Sequence, residues 1–306
     1  MKQTLAHWAL AIWYKDAFLG ILLLPFAYIF SDIVRLRRFL YRKGILKAHT
    51  LPVPVIVVGN ITVGGTGKTP LIIWLAELLT KSGYKPGIIS RGYGGQSDTW
   101  PQVVTANSDV DKVGDEALLI AKQTHLPVVI SPSRVDAGQK LLAEFDCNVI
   151  LSDDGLQHYA LNRDIEIAVI DGERRFGNGY CLPAGPLREP IERLSSVDFT
   201  VVNGEKYAEH EFSMLLVGDK AVNIKTGEQK PLQAFQGVEC HALAGIGNPG
   251  RFFKMLETAG LSCKSRSFPD HYSFRRSDIE FGDNKPVLMT EKDAVKCTQF
   301  AGQPHW

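Results

Sequence analysis

Apolar runs rich in β-branched residues recur along the chain, and several of them end beside a glycine or an aspartate. They predict strands at Val53–Val58, Gly87–Ser90, Val128–Ser131, Val149–Ser152, Ile165–Ile170, Phe199–Val202, His241–Ala244 and Val287–Thr290. Helical patterns lie between several of these runs, at Pro70–Ser82, Asp115–Thr124, Arg134–Phe145 and Pro249–Ala259. Strands that alternate with helices predict an α/β fold, with a mostly parallel sheet and helices on both faces. Such sheets bind ligands beyond the carboxyl ends of their strands, so the polar residues at those ends are the candidate site residues.

The alternation weakens between residues 204 and 237, where the sequence becomes charged and rich in turn residues. We therefore predict three regions. Residues 1–50 form N-terminal apolar and basic helices, residues 51–204 form the core domain, and residues 205–306 form a smaller C-terminal α/β part that completes the site.

The first fifty residues combine an apolar segment with a basic one. Ala17–Phe30 carries no charge, but it has only fourteen residues and includes Pro25, whereas a spanning helix needs about 20 apolar residues. Cations follow at Arg35, Arg37, Arg38, Arg42, Lys43 and Lys47. This order is typical of a pair of monotopic helices whose apolar side chains enter the membrane interface while the cations meet anionic headgroups. The alternative is a helix that packs on the protein's own core and has a solvated basic face.

Composition narrows the function classes. The chain has 306 residues, 45% of them hydrophobic and 22% charged, which is ordinary for a globular protein with a substantial core. Its net charge of +1 argues against a dedicated nucleic-acid-binding protein. The five cysteines are scattered and form no C-x-x-C pair, so we expect neither a disulfide framework nor a zinc site. A reducing compartment is the simpler interpretation.

The segment VPVIVVGNITVGGTGKTPLIIWL, residues 53–75, predicts a strand, a glycine-rich turn and a helix. It matches the phosphate-binding loop of P-loop proteins, except that Thr62 stands where the first glycine is usual. The predicted nucleotide cradle consists of Thr62, Val63, Gly64, Gly65, Thr66, Gly67, Lys68 and Thr69. Its backbone N–H groups and the helix N-terminus would converge on a phosphate. Lys68 would reach the β- and γ-phosphates, and the Thr69 hydroxyl would bind Mg²⁺.

Acidic residues at two other predicted strand ends favour a metal site. Asp153 and Asp154 stand where P-loop enzymes carry the aspartate that binds Mg²⁺, directly or through water. Adjacent carboxylates repel each other unless a cation lies between them; the alternative is a plain Asp-Asp-Gly turn. A Gly- and Pro-rich loop after Asp171 leads to Arg188 and Glu189. Arg188 could stabilise a transferring phosphoryl group, and Glu189 could join the metal ligands.

Two more positions carry candidate acid–base groups. Asp115 begins a predicted helix, where the ordinary role of a carboxylate is to cap the N-terminus. His271 lies beside Asp270 in a predicted loop. A lone histidine is more often structural, but one paired with a carboxylate across the site would orient or tune a general base.

The motifs form an ordered set: GNITVGGTGKTP, SRGYGG, VGDE, DDGLQH, LPAGPLREP, GIGNPGRFF, FPDHY and TEKDAVK. From about Val53 to the end, and in its apolar and basic N-terminus, the chain resembles the tetraacyldisaccharide 4′-kinases of lipid A biosynthesis. The resemblance implies a P-loop kinase that uses ATP and Mg²⁺ to phosphorylate the 4′-hydroxyl of an acylated disaccharide 1-phosphate. It also implies a peripheral or monotopic location on the cytoplasmic face of the bacterial inner membrane, in contact with its anionic surface.

The resemblance also implies residue roles. Asp115 looks like the catalytic base and His271 like its partner. The acidic metal environment would comprise Asp153, Asp154 and Glu189, with Thr69 as a further Mg²⁺ contact, while Lys68 and Arg188 would contact phosphate. Neither nucleic acid nor an obligate protein partner is expected. Two alternatives stay open: a P-loop kinase of a soluble substrate, and a membrane-bound nucleotide switch that hydrolyses slowly and recruits a partner.

Overall fold

The computed structural model describes residue 9, residues 11–14 and residues 19–306. Within them the strands are Val55–Gly59 (β1), Pro86–Ser90 (β2), Gln102–Val104 (β3), Val128–Ile130 (β4), Val149–Asp153 (β5), Ile165–Asp171 (β6), Phe199–Asn203 (β7), Glu211–Met214 (β8), Lys220–Val222 (β9), Gln229–Pro231 (β10), Glu239–Ala244 (β11), Ser262–Ser267 (β12) and Val287–Met289 (β13). The helices are Leu19–Arg42, Lys68–Lys81, Val110–Val113, Asp115–Thr124, Arg134–Glu144, Pro249–Thr258, Arg276–Ile279 and Glu291–Cys297. Short 3-10 helices occupy Ile191–Ser196 and Leu232–Phe235.

The main sheet has eight strands in the order β3-β4-β2-β5-β1-β6-β7-β8. All neighbours pair in parallel except β3, which runs antiparallel to β4. β1 lies between β5 and β6, so the loop after it opens at the middle of the carboxyl edge. The prediction of a mostly parallel sheet is confirmed.

Side chains of β1 alternate between two apolar clusters, one on each face of the sheet. Ile56 and Val58 belong to the cluster that contains helix Lys68–Lys81, whereas Val55 and Val57 belong to the cluster that contains helix Arg134–Glu144. Successive side chains of a strand point to opposite faces, so a strand that is apolar throughout needs helices on both sides. The predicted helices on both faces are therefore confirmed.

The C-terminal part has its own sheet, in which β11 lies between β12 and β13 and pairs with both in parallel. Ala242 and Leu243 of β11 point into separate apolar clusters. β8 nevertheless belongs to the main sheet, where it pairs with β7. The main sheet therefore extends to Met214, past the boundary predicted at residue 204.

The apolar and basic segments lie on one continuous helix, Leu19–Arg42, and the described residues before it, 9 and 11–14, are helical as well. Residues 1–8, 10 and 15–18 of the predicted N-terminal region lie outside the described residues. The described helices include none with the length and apolar content needed to cross a bilayer. The helix carries an exposed apolar stripe at helical spacing, formed by Leu22, Phe26, Ile29, Ile33 and Leu36.

Candidate active site

The loop after β1 forms the predicted cradle at the carboxyl edge of the main sheet. Gly64 and Gly67 have φ values of 107° and 97°, a region that residues with a Cβ rarely adopt. Helix Lys68–Lys81 begins directly after Gly67. Thr62 pairs with Leu187 in an isolated antiparallel bridge and is buried. This extended pairing needs no glycine, which explains why the loop forms with a threonine at the usual glycine position.

Asn203, at the end of β7, fixes the far side of this loop. Its Nδ2 donates to the Thr66 carbonyl oxygen at 3.1 Å. A Cβ on Gly67 would collide with the same amide group. Asn203 was not among the sequence candidates, although it occupies the polar strand-end position at which ligands of such sheets bind.

Asp154 brings together two of the predicted phosphate contacts. Its Oδ1 lies 3.4 Å from Lys68 Nζ, and its Oδ2 lies 3.1 Å from an Arg188 guanidinium nitrogen. Burial raises the pKa of the Asp154 carboxyl, but Lys68 and Arg188 outweigh it and hold that pKa well below its usual range. Two cations thus converge on one carboxylate at the mouth of the cradle.

Asp153 is buried behind this pair, and its two oxygens differ. Oδ2 accepts a hydrogen bond from Ser90 Oγ at 3.0 Å, while the buried Oδ1 has no hydrogen-bond partner among the described residues. Burial, helped by Glu116 and Asp154, raises the pKa of Asp153 to about 6. An unpartnered carboxylate oxygen beside a second carboxylate fits a hard divalent cation, which prefers oxygen ligands. Thr69, in the first turn of the helix after the loop, offers the hydroxyl of the P-loop pattern.

Glu189 is not part of this group. Its Oε1 accepts from Gln157 Nε2 at 2.6 Å, its Oε2 accepts from the Tyr159 hydroxyl, and Arg193 Nε lies 3.4 Å from Oε2. Both oxygens are thus engaged inside the protein, in a side chain that is 1% exposed. Across the described residues no cluster of three or more His, Cys, Asp or Glu side chains is arranged to hold a metal ion. The expectation that Glu189 joins Asp153 and Asp154 in a metal site is therefore not supported by its position.

Asp115 and His271 meet across the boundary between the core and the C-terminal part. Both carboxylate oxygens of Asp115 lie 3.1 Å from His271 Nδ1. Asp115 is buried at the start of helix Asp115–Thr124, and its Oδ1 also accepts from the Glu116 N–H, so the ordinary capping role is present as well. Burial raises the pKa of Asp115, but the His271 hydrogen bond and two lysines reverse this and lower it. Burial lowers the pKa of His271, but the bond to Asp115 outweighs burial and raises it.

A glycine-containing loop of the C-terminal part lies against the cradle. The nearest atom to a Cβ built on Gly247 is the backbone nitrogen of Gly65, at 2.5 Å. Arg174 donates to the Gly247 carbonyl oxygen at 2.6 Å, and Arg251 pairs with Asp171 at 2.7 Å. The two parts of the chain are thus joined by hydrogen bonds beside the phosphate-binding loop.

Comparison with known proteins agrees with this geometry. A family model described as tetraacyldisaccharide-1-P 4′-kinase matches residues 19–306. The chain belongs to this family. Curated family members include the tetraacyldisaccharide 4′-kinase of Nitrosococcus oceani, 53% identical over 97% of this chain and 88% of its own length. That of Haemophilus influenzae is 51% identical over 96% of this chain and 90% of its own length.

A solved family member has the same fold. It is LpxK from Aquifex aeolicus, crystallised in complex with ATP. It is 34% identical to this chain and superposes on it with a TM-score of 0.79. The match covers 92% of this chain and 91% of the LpxK chain. Membership of the 4′-kinase family and the P-loop type of fold are therefore shown independently of the site geometry.

Proposed function

We propose that this 4′-kinase family member transfers the γ-phosphate of ATP to the 4′-hydroxyl of a tetraacyldisaccharide 1-phosphate, forming the 4′-phosphorylated glycolipid, lipid IVA, of lipid A biosynthesis. The observation that carries the proposal is the Asp115–His271 pair. It combines a carboxylate of the core with an imidazole of the C-terminal part, at 3.1 Å, in a chain whose phosphate-binding loop keeps the Gly67-Lys68-Thr69 end of the motif. A nucleotide switch that only hydrolyses has no need of a base for a sugar hydroxyl.

The phosphates of ATP would lie on the loop from Thr62 to Thr69, whose backbone N–H groups favour negative charge. Lys68 and Arg188, which now share Asp154, would bind the β- and γ-phosphates. Both lie at the mouth of the loop, where they would stabilise the charge of the transferring group.

Mg²⁺ would be held by the Thr69 hydroxyl and the carboxylates of Asp153 and Asp154. Bound there, it would neutralise phosphate charge and polarise the transferring group. The buried Oδ1 of Asp153 supports this assignment because it lacks a hydrogen-bond partner among the described residues.

In the transfer step the 4′-oxygen forms a bond to the γ-phosphorus while the bond from that phosphorus to the β–γ bridging oxygen breaks, which releases ADP. The hydroxyl proton passes to the Asp115–His271 pair, with Asp115 as the proposed base. A carboxylate of ordinary pKa, about 4, is already a weak base for a sugar hydroxyl, and the pKa of Asp115 is lowered further, against the effect of burial, by His271 and two lysines, so positioning must supply much of the effect. The imidazole supports that positioning because its Nδ1 lies equally far from both carboxylate oxygens.

We also propose that the helix Leu19–Arg42 lies on the cytoplasmic face of the bacterial inner membrane. Its exposed stripe from Leu22 to Leu36 offers apolar side chains to the acyl region. Arg42, Lys43 and Lys47 are exposed at its end, where cations meet anionic headgroups. Arg38 instead donates to Ser196 Oγ, and the Arg37 guanidinium lies 5.9 Å from the centre of the Tyr159 ring, so part of the basic segment packs on the core. A substrate with four acyl chains stays in a bilayer, which gives a membrane-bound enzyme access to it.

The test is transfer from γ-labelled ATP to a tetraacyldisaccharide 1-phosphate in detergent with Mg²⁺, for the wild type and for Lys68→Ala. Transfer that is lost in the variant supports the proposal. Lys81→Ala, a lysine exposed at the far end of the same helix, is the matched control and should transfer at the native rate. If ATP binds but the wild type transfers nothing to the glycolipid, the nucleotide-switch alternative is favoured.

A further inference from the structure

The helix Glu291–Cys297 of the C-terminal part packs against the helix Asp115–Thr124 of the core. It carries Lys292 and Lys296, four residues apart and therefore on the same face of a helix. Both ammonium groups point at the start of the core helix, where Asp115 and Glu116 lie. No role has been given to either lysine so far in the proposed reaction.

Lys296 is held between two carboxylates. Its Nζ lies 2.7 Å from Asp293 Oδ1 and 3.7 Å from Asp115 Oδ2, and its side chain is only 8% exposed. Asp293 is itself fixed, because its Oδ2 accepts from the Gly245 N–H at 2.8 Å and from Thr290 Oγ1 at 2.7 Å. A buried ammonium is costly unless it is paired, so the place of Lys296 is determined by both carboxylates.

Lys292 makes the matching contacts on the other side of the pair. Its Nζ lies 2.9 Å from Glu116 Oε1 and 3.2 Å from Asp270 Oδ1. Glu116 directly follows Asp115, and Asp270 directly precedes His271. The lysine therefore joins the neighbour of the carboxylate to the neighbour of the imidazole.

We propose that Lys296 is a positioning residue for phosphoryl transfer, which holds the Asp115 carboxylate ionised and oriented toward His271, and that Lys292 fixes the segments flanking both. This inference rests on the proposed function of the Asp115–His271 pair. The pair comes from two parts of the chain, and the hydrogen bond between its members does not by itself fix how those parts meet. The contacts of the two lysines add to this bond, because Lys296 is anchored through Asp293 to the backbone of Gly245, directly after β11.

The charged groups around the Asp115–His271 pair determine the expected effect of removing Lys296. Asp115 faces His271, Lys292 and Lys296, and His271 also faces Asp270 at 3.8 Å. Without the Lys296 cation the carboxylate is stabilised less in its ionised form, so the pair takes up its proton at higher pH. If Asp115 is no longer oriented toward His271, kcat should fall. The affinity for ATP should stay the same, because it depends on the separate phosphate-binding loop.

The experiment compares Lys296→Met, which keeps the length of the side chain, Lys296→Arg, which keeps its charge, and Lys254→Met, an exposed lysine of the same part of the chain as control. Lys296→Met should lower kcat at least tenfold, leave KM for ATP within twofold, and move the acidic limb of the pH–kcat profile to higher pH. Lys296→Arg should recover most of the rate. Unchanged kcat and an unchanged profile in a folded Lys296→Met protein would overturn the proposal.

A second readout does not need activity. The His271 Cε1–H resonance, assigned with His271→Gln, should titrate at a pH higher by about half a unit or more in Lys292→Met, which removes a cation that lowers the pKa of the imidazole. If Lys296→Met fails to fold, the transfer rate of Lys292→Met and its His271 titration test the proposal instead. If both variants fail to fold, the role of the lysines is purely structural and the proposal is overturned. Wild-type protein without transfer activity refutes the proposed function, and the titration then still shows whether the lysines set the state of the pair.

Discussion

Gly247→Ala tests the contact between the C-terminal part and the phosphate-binding loop. The new methyl group would lie 2.5 Å from the Gly65 nitrogen and 3.1 Å from the Gly65 Cα. An ordinary contact needs about 3.4–4 Å, so one of the two loops must move by nearly 1 Å. Neither can yield as a flexible side chain does: the obstructing atoms are backbone, and Arg174 holds the Gly247 carbonyl oxygen at 2.6 Å.

Overpacking of this kind costs about 1–3 kcal/mol. If the loop that binds the phosphates absorbs the shift, that energy is lost from nucleotide binding, and the Kd for ATP should rise about 5- to 150-fold. Isothermal titration calorimetry with ATP and Mg²⁺ measures this directly, and kcat/KM for ATP in the transfer assay should fall by a similar factor. The thermal midpoint without nucleotide should fall by only a few degrees.

Gly250→Ala is the matched control because it lies in the same motif, and its nearest neighbour to a new Cβ is Asn248 Oδ1 at 3.7 Å, an ordinary contact. It should bind ATP as the wild type does. A folded Gly247→Ala protein with a Kd for ATP within twofold of the wild type would refute the inference that this loop braces the cradle.

Since burial lowers the pKa of His271 but Asp115 raises it further, kcat should increase with pH through an inflection above the usual value of about 6.5, as the pair loses its proton. His271→Gln should remove that inflection, and a wild-type profile that is flat between about pH 6 and pH 9 would contradict the role of the pair. Glu189→Ala should reduce the free energy of unfolding in urea by about 3–5 kcal/mol, because it leaves buried Arg193 with one partner fewer, and should leave the Mg²⁺ dependence of transfer unchanged. A higher Mg²⁺ requirement with native stability would instead restore Glu189 as a metal ligand. Replacing Arg42, Lys43 and Lys47 with Gln should weaken binding to anionic vesicles by about 1 kcal/mol per cation and leave binding to neutral vesicles and the circular dichroism spectrum unchanged. Undiminished binding to anionic vesicles would count against a basic membrane-facing surface.

The central strands were predictable because apolar residues dominate them on both faces, as in β1, where all five residues are buried. The strands missed by the sequence interpretation lack that signal. β12, SCKSRS, is a polar edge strand whose residues are mostly exposed, and it is held in the sheet by pairing with β11. The strand conformation of β12 depends more on pairing with β11 than on its own sequence, so no local sequence pattern predicts it.

The candidate site also has features that the sequence predicts and others that it does not. Among the predicted site residues, the structure brings Lys68 and Arg188 to Asp154 and pairs Asp115 with His271, while the contacts of Glu189 lie elsewhere. Arg188 contacts Asp154, whereas Glu189 accepts a hydrogen bond from the Tyr159 hydroxyl. The metal-binding role of Glu189 stays a prediction, although Gln157 and Tyr159 already engage both of its carboxylate oxygens.

Contacts between distant segments were beyond the reach of sequence patterns. Asn203 binds the carbonyl oxygen of a residue 137 positions earlier, and Lys292 reaches a carboxylate 176 positions earlier. The strand-end position of Asn203 is a local signal for a site residue, but no local pattern identifies its partner or that of Lys292. Only the way in which the two parts pack brings them to the site.

The order of synthesis gives the divided Asp115–His271 pair a further consequence. The two residues are 156 positions apart, and the phosphate-binding loop is made before either of them. A chain emerging from the ribosome therefore carries the residues proposed to bind ATP long before it carries the imidazole of the proposed proton acceptor. The phosphate-binding loop is itself held by later segments, through Asn203 of β7 and the Gly247 loop, so the proposed site is complete only when the C-terminal part has folded against the core.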